Sequence, residues 1–258
     1  MIKKLFCKKS LNLIREYIIA EFKQKYKGML LGFCWIILHP ILLFIILYTV
    51  FSHYMKFQIE HYPFYLLFGI IFWTFFEKST ARCVPIIEYQ GDLIKKAYFP
   101  HEIMIISVML INFIAFVIES ILLFTVMYIK GIHVSFMAML FLAGVVALEI
   151  FMILGMSFLL SALYVVFRDI NNIWGVLLRL GFFVMPIIYP VSAIPKKFAW
   201  IYSFNPFAQL LNAGRDALLC GQRPNGIIFA GSLAFSVVIL WMGIAVFRRS
   251  KPRFAERV

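Results

Sequence analysis

The chain contains no GxxxxGK followed by Ser or Thr, no HExxH, no GxSxG and no CxxC pair. The first absence excludes nucleotide binding by a loop whose backbone amides cradle phosphates. The second and third remove the zinc-protease and nucleophile-elbow readings. The five histidines (His39, His53, His61, His101, His133) have no metal-ligand spacing, and most fall at span ends, where a polar aromatic is at home. Cys7, Cys34, Cys83 and Cys220 are far apart and fall on what read as different sides or depths of a membrane, so no disulfide framework and no zinc site is expected. Charge is scarce as well: only 14% of residues are Asp, Glu, Lys or Arg, and 25 basic residues face 12 acidic ones. An enzyme is poorly supported.

What fills the space is apolar. With 63% hydrophobic residues and a mean hydropathy of +0.92, the chain exceeds what the interior of a soluble domain can hold. Gly28 to Phe51 is a run of 24 residues without Asp, Glu, Lys or Arg, preceded by Lys23, Lys25 and Lys27. At 1.5 Å per residue it exceeds the roughly 30 Å of a bilayer core, and basic flanks stay inside. Five more spans follow: from Pro63, with Glu77, Lys78 and Arg82 at its end; Ile103 to Ile129, with Asn112 and Glu119; Val134 to Phe167, with Glu149; Ile170 to Val191, with Arg179, Pro186 and Pro190; and Gly226 to Phe247.

Residues 11–27 read as an amphipathic helix at the interface, with Leu11, Ile14, Ile18 and Phe22 on one face and Asn12, Glu16, Lys23 and Lys27 opposite. The opening MIKKLFCKKSLNLIREY has no cleavage site and its apolar positions are interrupted by Arg15 and Glu16, so it does not read as a removable signal. Pro190 to Gly226, broken at Asn205-Pro206, is too short and interrupted to span and reads as a re-entrant or interfacial helical pair on the outer side. The expected fold is therefore an all-α integral membrane protein. It has a cytoplasmic amphipathic arm (1–27), a six-helix transmembrane domain (28–247) with the re-entrant external pair between helices 5 and 6, and a cytoplasmic basic tail (248–258). Lys and Arg distribute as 16 inside, six outside and three within spans, which places both termini in the cytoplasm. That asymmetry and anionic headgroups account for the net charge of +13 without a nucleic-acid partner.

Two groups of residues carry possible function. Glu77, Glu119, Glu149 and Arg179 are charges at membrane depth, which mark a pathway or pair with one another for packing. Trp35, Tyr48, Trp73, Trp174, Phe182, Phe183 and Tyr189 lie in or near spans. They either form lipid-facing bulk and interfacial belts or line a lumen, where the apolar C–H face of a sugar lies well on a ring. Spans one and five are the candidates for lining it.

The order of KQKYKGMLLGFCWIILHP (Lys23 to Pro40), GDLIKKAYFP (Gly91 to Pro100), FRDI (Phe167 to Ile170), PIIYP (Pro186 to Pro190), IPKKFAWIYSFNPFA (Ile194 to Ala208) and RFAE (Arg253 to Glu256) resembles the membrane subunits of ABC-2 type exporters that move O-antigen, teichoic acid or capsular polysaccharide. The resemblance spans nearly the whole chain. It implies a homodimer in the inner membrane of a bacterium, bound to two copies of a separate ATPase that holds ATP and Mg, so this chain needs no cofactor of its own. It implies that residues 11–27 and the loop Gly91, Asp92, Leu93, Ile94, Lys95 and Lys96 seat on that ATPase. Pro190, Pro195, Trp200, Asn205 and Pro206 would belong to external gate helices. The implied substrate is a polysaccharide on a polyprenyl diphosphate lipid, whose diphosphate needs inner cations: Lys23, Lys25, Lys27, Arg168 and Arg179. Two other readings stay open, an exporter of the same architecture for a smaller lipid or drug, and a membrane transferase acting on polyprenyl lipids. The second should show clustered carboxylates or histidines in a cytoplasmic loop, and the inner loops are poor in them.

Overall fold

A computed structural model describes residues 12–19, 34–54, 59, 61–89, 100–195, 197, 202, 204–219, 221 and 226–257. Every regular element among them is helical: α1 (12–19), α2 (Trp35–Tyr54), α3 (Tyr62–Cys83), α4 (Ile86–Tyr89), α5 (His101–Ile129), α6 (Phe136–Tyr164), α7 (Ile170–Val184), α8 (Pro206–Leu219) and α9 (Gly226–Arg257). Four of these, α2, α5, α6 and α9, are long and apolar enough to cross a membrane. Helices α2, α5, α6, α7 and α8 pack on α3. Pro63 in its first turn needs no amide partner there, and 17 of its 22 residues are buried, so this helix faces protein rather than lipid. Its aromatic rings are what the neighbours pack on. Phe75 meets Phe116 of α5 at 5.0 Å between centroids, and Trp73 meets Phe207 of α8 edge-on at 5.2 Å.

Helices α6 and α9 form a tight pair running in one direction, since Phe229 lies beside Gly144 and Phe247 beside Phe158. They touch backbone to backbone where Gly155 meets Gly243: a Cβ on Gly155 would stand 2.7 Å from the carbonyl of Ile239 and the amide of Leu240. In lipid, apolar side chains gain nothing by leaving solvent, so close van der Waals contact at small residues is what drives such pairing. Helix α9 then continues through the basic stretch expected as a tail, as one helix to Arg257. Lys251 Nζ pairs with the Glu102 carboxylate at 3.0 and 3.2 Å, and Phe254, fully buried, packs against Phe247 and the His101 ring.

Phe254 belongs to an inner core with Tyr17 of α1, Cys83, Ile86 and Ile87 of α4, Met104 and Phe158. Helix α1 packs by Tyr17, with Ile14 and Ile18 half-buried and Asn12 and Glu16 exposed; Leu11, Phe22, Lys23 and Lys27 of the expected amphipathic helix lie outside the described residues.

Candidate functional site

Helix α7 climbs antiparallel along α3. At its base Trp174 Nε1 donates to Thr80 Oγ1 at 3.1 Å. Midway, Gly181 faces the Trp73 ring so closely that a Cβ would stand 2.7 Å from it. The helix stops at Val184 because Pro186 has no amide and pushes Met185 into extended backbone, φ −69° and ψ 149°. The elbow Met185–Pro190 then continues upward to the N-terminal turns of α3.

An unwound backbone in a dry setting needs donors for its carbonyls, and side chains from three directions supply them. Tyr189 Oη donates to the Phe183 and Val184 carbonyls at 3.0 and 2.7 Å, alternatives for its one proton, and Tyr202 Oη reaches Val184 at 2.8 Å. Arg215 Nη1 bonds Pro186 O at 2.5 Å and Nη2 bonds Ile187 O at 2.8 Å. From α3, Tyr62 Oη bonds Ile188 O at 3.0 Å and Tyr65 Oη bonds Tyr189 O at 3.2 Å. Arg215 is only 2% exposed, and its guanidinium lies over the Tyr65 ring, 3.5 Å from the centroid. A planar fork suits this work, because it spans two adjacent carbonyls and stacks at once. Gly69 makes the room: a Cβ there would run into Nη2 of Arg215.

Helix α8, which delivers Arg215, starts deep. Asn205 caps it, with Oδ1 accepting from the amides of Phe207 and Ala208 at 3.0 and 3.2 Å, while Nδ2 touches Met185 Sδ at 3.4 Å. Phe207 packs among Phe72, Trp73 and Phe76. Arg215 comes eight residues later, at the level of Tyr65. From Phe207 to Arg215 the helix therefore rises about 12 Å toward the N-terminal end of α3. The arrangement is a latch: Tyr202 and Asn205 stand beside the base of the elbow at Val184 and Met185, and α8 rises from there to pin it.

The residues singled out from sequence are dispersed. Trp73 is buried among Phe76, Phe182 and Phe207, inside this chain's own core. Tyr48 is half-buried and stacks between Phe44 and Tyr62. Trp174 and Phe182 are half-buried, and Tyr189 belongs to the elbow. Trp35 and Phe183 are exposed, on α2 and α7. These two helices also carry exposed apolar residues: Leu42, Ile45 and Ile46 on α2, and Val176, Leu177 and Leu180 on α7.

Arg179 is exposed on α7, its Nε 3.3 Å from the Gly175 carbonyl. Arg168 ion-pairs with Glu88 at 3.0 Å. Glu149 is fully buried, with no hydrogen-bond partner for either oxygen among the described residues. Pro190, Pro195, Asn205 and Pro206 flank the latch. Lys23, Lys25, Lys27, Gly91, Asp92, Leu93, Ile94, Lys95, Lys96 and Trp200 lie outside the described residues. Sequence reasoning missed Tyr62, Tyr65 and Arg215. A charge inside NAGRDALL, shortly after a stretch with two broken helix positions, was the available signal.

A family model described as ABC-2 type transporter matches residues 12–219. Among curated relatives, the O-antigen export system permease protein RfbA of Myxococcus xanthus is 29% identical over 249 residues, 96% of this chain and 95% of the relative. The protein of the same name from Klebsiella pneumoniae is 27% identical over 92% and 91% of the two chains. The polysialic acid transport protein KpsM of Escherichia coli is 24% identical over 91% and 92%.

Proposed function

The chain belongs to the ABC-2 type transporter family, and from that membership we propose that it is the channel-forming membrane subunit of an ATP-driven polysaccharide exporter. The cargo is a glycan on a polyprenyl diphosphate lipid, of the O-antigen or capsule kind, moved outward across a bacterial inner membrane. Relatives named for O-antigen export and polysialic acid transport, matched over more than nine-tenths of both chains, carry this reading.

In it the chain crosses six times. Helix α3 adds a fifth crossing to the four long apolar helices, its 22 residues being about 33 Å long. Helix α7 with its elbow adds the sixth, since together they run the length of α3. Both termini are then cytoplasmic. The segment carrying Pro190, Pro195, Trp200, Asn205 and Pro206 dips back from the outer side and serves as the external gate, latched by Arg215. Two copies of the chain assemble with two ATPase subunits, which bind ATP and Mg; residues 11–27 and 91–96 seat on them. The uncovered faces of α2 and α7 meet the second copy and the glycan, with Trp35, Tyr48 and Phe183 offering rings. Lys23, Lys25, Lys27 and Arg179 receive the diphosphate, whereas Arg168 is already engaged by a carboxylate.

Deleting the gene tests this directly. Surface glycan should vanish while lipid-linked glycan accumulates in the cytoplasmic leaflet, and a P-loop ATPase should co-purify with the wild-type chain. Unchanged surface glycan together with altered drug susceptibility would replace the cargo. Purification without any ATPase after gentle cross-linking would end the reading altogether.

A further inference from the structure

At the inner ends of the helices a single carboxylate joins three elements. Glu88, on α4, accepts from Tyr164 Oη at 2.6 Å through Oε2 and pairs with Arg168 Nη2 at 3.0 Å through Oε1. Tyr164 is the last residue of α6, and Arg168 lies in the turn that opens α7 two residues later. Glu88 itself stands three residues before Gly91, at the root of the inner loop. Its neighbours Ile86 and Ile87 are buried in the core that also holds Tyr17 of α1, so α1 and α4 share one core. Helix α7, by contrast, has Leu178 as its single fully buried residue and packs along one edge only, through Trp174, Gly181 and Phe182 against α3.

We propose that Glu88 is the joint through which movement of the inner loop reaches α7. Displacing the loop root shifts Glu88, whose two oxygens hold Tyr164 and Arg168 on either side of the α6–α7 turn. The turn then tilts α7, and with it the elbow that the outer latch holds. This assigns Arg168 to force transmission rather than to the diphosphate. It rests on the reading of residues 91–96 as the ATPase contact. Its Arg168 side chain is 75% exposed and that of Glu88 38%, and ion pairs so exposed stabilise a fold little. Breaking this one should therefore leave the protein folded.

The experiment uses the full complex with its ATPase in proteoliposomes loaded with lipid-linked glycan, recording ATP hydrolysed and glycan moved. Glu88→Arg should lower export at least tenfold while ATP hydrolysis stays within twofold of wild type, so that the ratio of ATP to glycan rises. Tyr164→Phe should raise that ratio less. Combining Glu88→Arg with Arg168→Glu should restore export to at least half of wild type. Normal export by Glu88→Arg would overturn the proposal. So would an exchanged pair as inactive as the single variant, the outcome expected if Arg168 contacts the lipid diphosphate. A wild-type chain that stimulates no ATPase would instead sink the exporter reading on which the joint depends, and that is read before any variant is made.

Discussion

Replacing Arg215 by Met keeps an unbranched stem of similar reach but deletes both donors to the elbow and the cation over Tyr65. Two charge-assisted hydrogen bonds are worth about 1.5–3 kcal/mol each, and a desolvated cation–π contact about 2 kcal/mol. Against this stands relief from burying a guanidinium, a penalty of several kcal/mol per ion. The expected net loss is about 2–4 kcal/mol, because the partners left behind are neutral carbonyls rather than an orphaned charge. For a chain of this size that corresponds to a melting temperature lower by about 4–16 °C.

Thermal unfolding of the detergent-solubilised protein, followed by tryptophan fluorescence at one scan rate, measures the shift. Arg215→Lys keeps the charge without the fork and should fall between wild type and Arg215→Met. A cycle with Tyr65→Leu should return a coupling of about 1–2 kcal/mol. If Arg215→Met melted with the wild type, or if the two substitutions were additive, the guanidinium would not be what holds the elbow.

Gly155→Ala places a methyl carbon where the α9 backbone already stands, 2.7 Å away, and should cost about 1–3 kcal/mol by forcing α6 and α9 apart; an unchanged melting curve would contradict the close crossing. Asn205→Ala removes the cap of α8 and should cost about 1 kcal/mol, with Asn205→Ser recovering most of it in the same assay; an Asn205→Ala protein that melts with the wild type would contradict the cap.

The long apolar runs were legible because membrane crossing is written in local composition, and α2, α5, α6 and α9 fall where hydropathy places them. Hydropathy cannot tell a helix facing lipid from one facing protein, since both want apolar side chains. That is why Trp73 reads as a lumen aromatic and proves to be core. Arg215 counted as an outer-loop cation because its partners, Pro186, Ile187 and Tyr65, are remote in sequence and two of them are main-chain oxygens. The ion pair of Arg168 was not legible for a related reason: Glu88 comes from another element altogether.

The elbow also sets an order of events during synthesis. The carbonyls of Pro186 and Ile187 obtain their donors from a residue 29 and 28 positions further along, so when α7 and the elbow have been made these two carbonyls still await the side chain that pins them. Until α8 has emerged and folded back beside α3, the elbow is an incompletely satisfied backbone. The latch therefore closes only after α8 has been made, which puts it late in the folding of this chain.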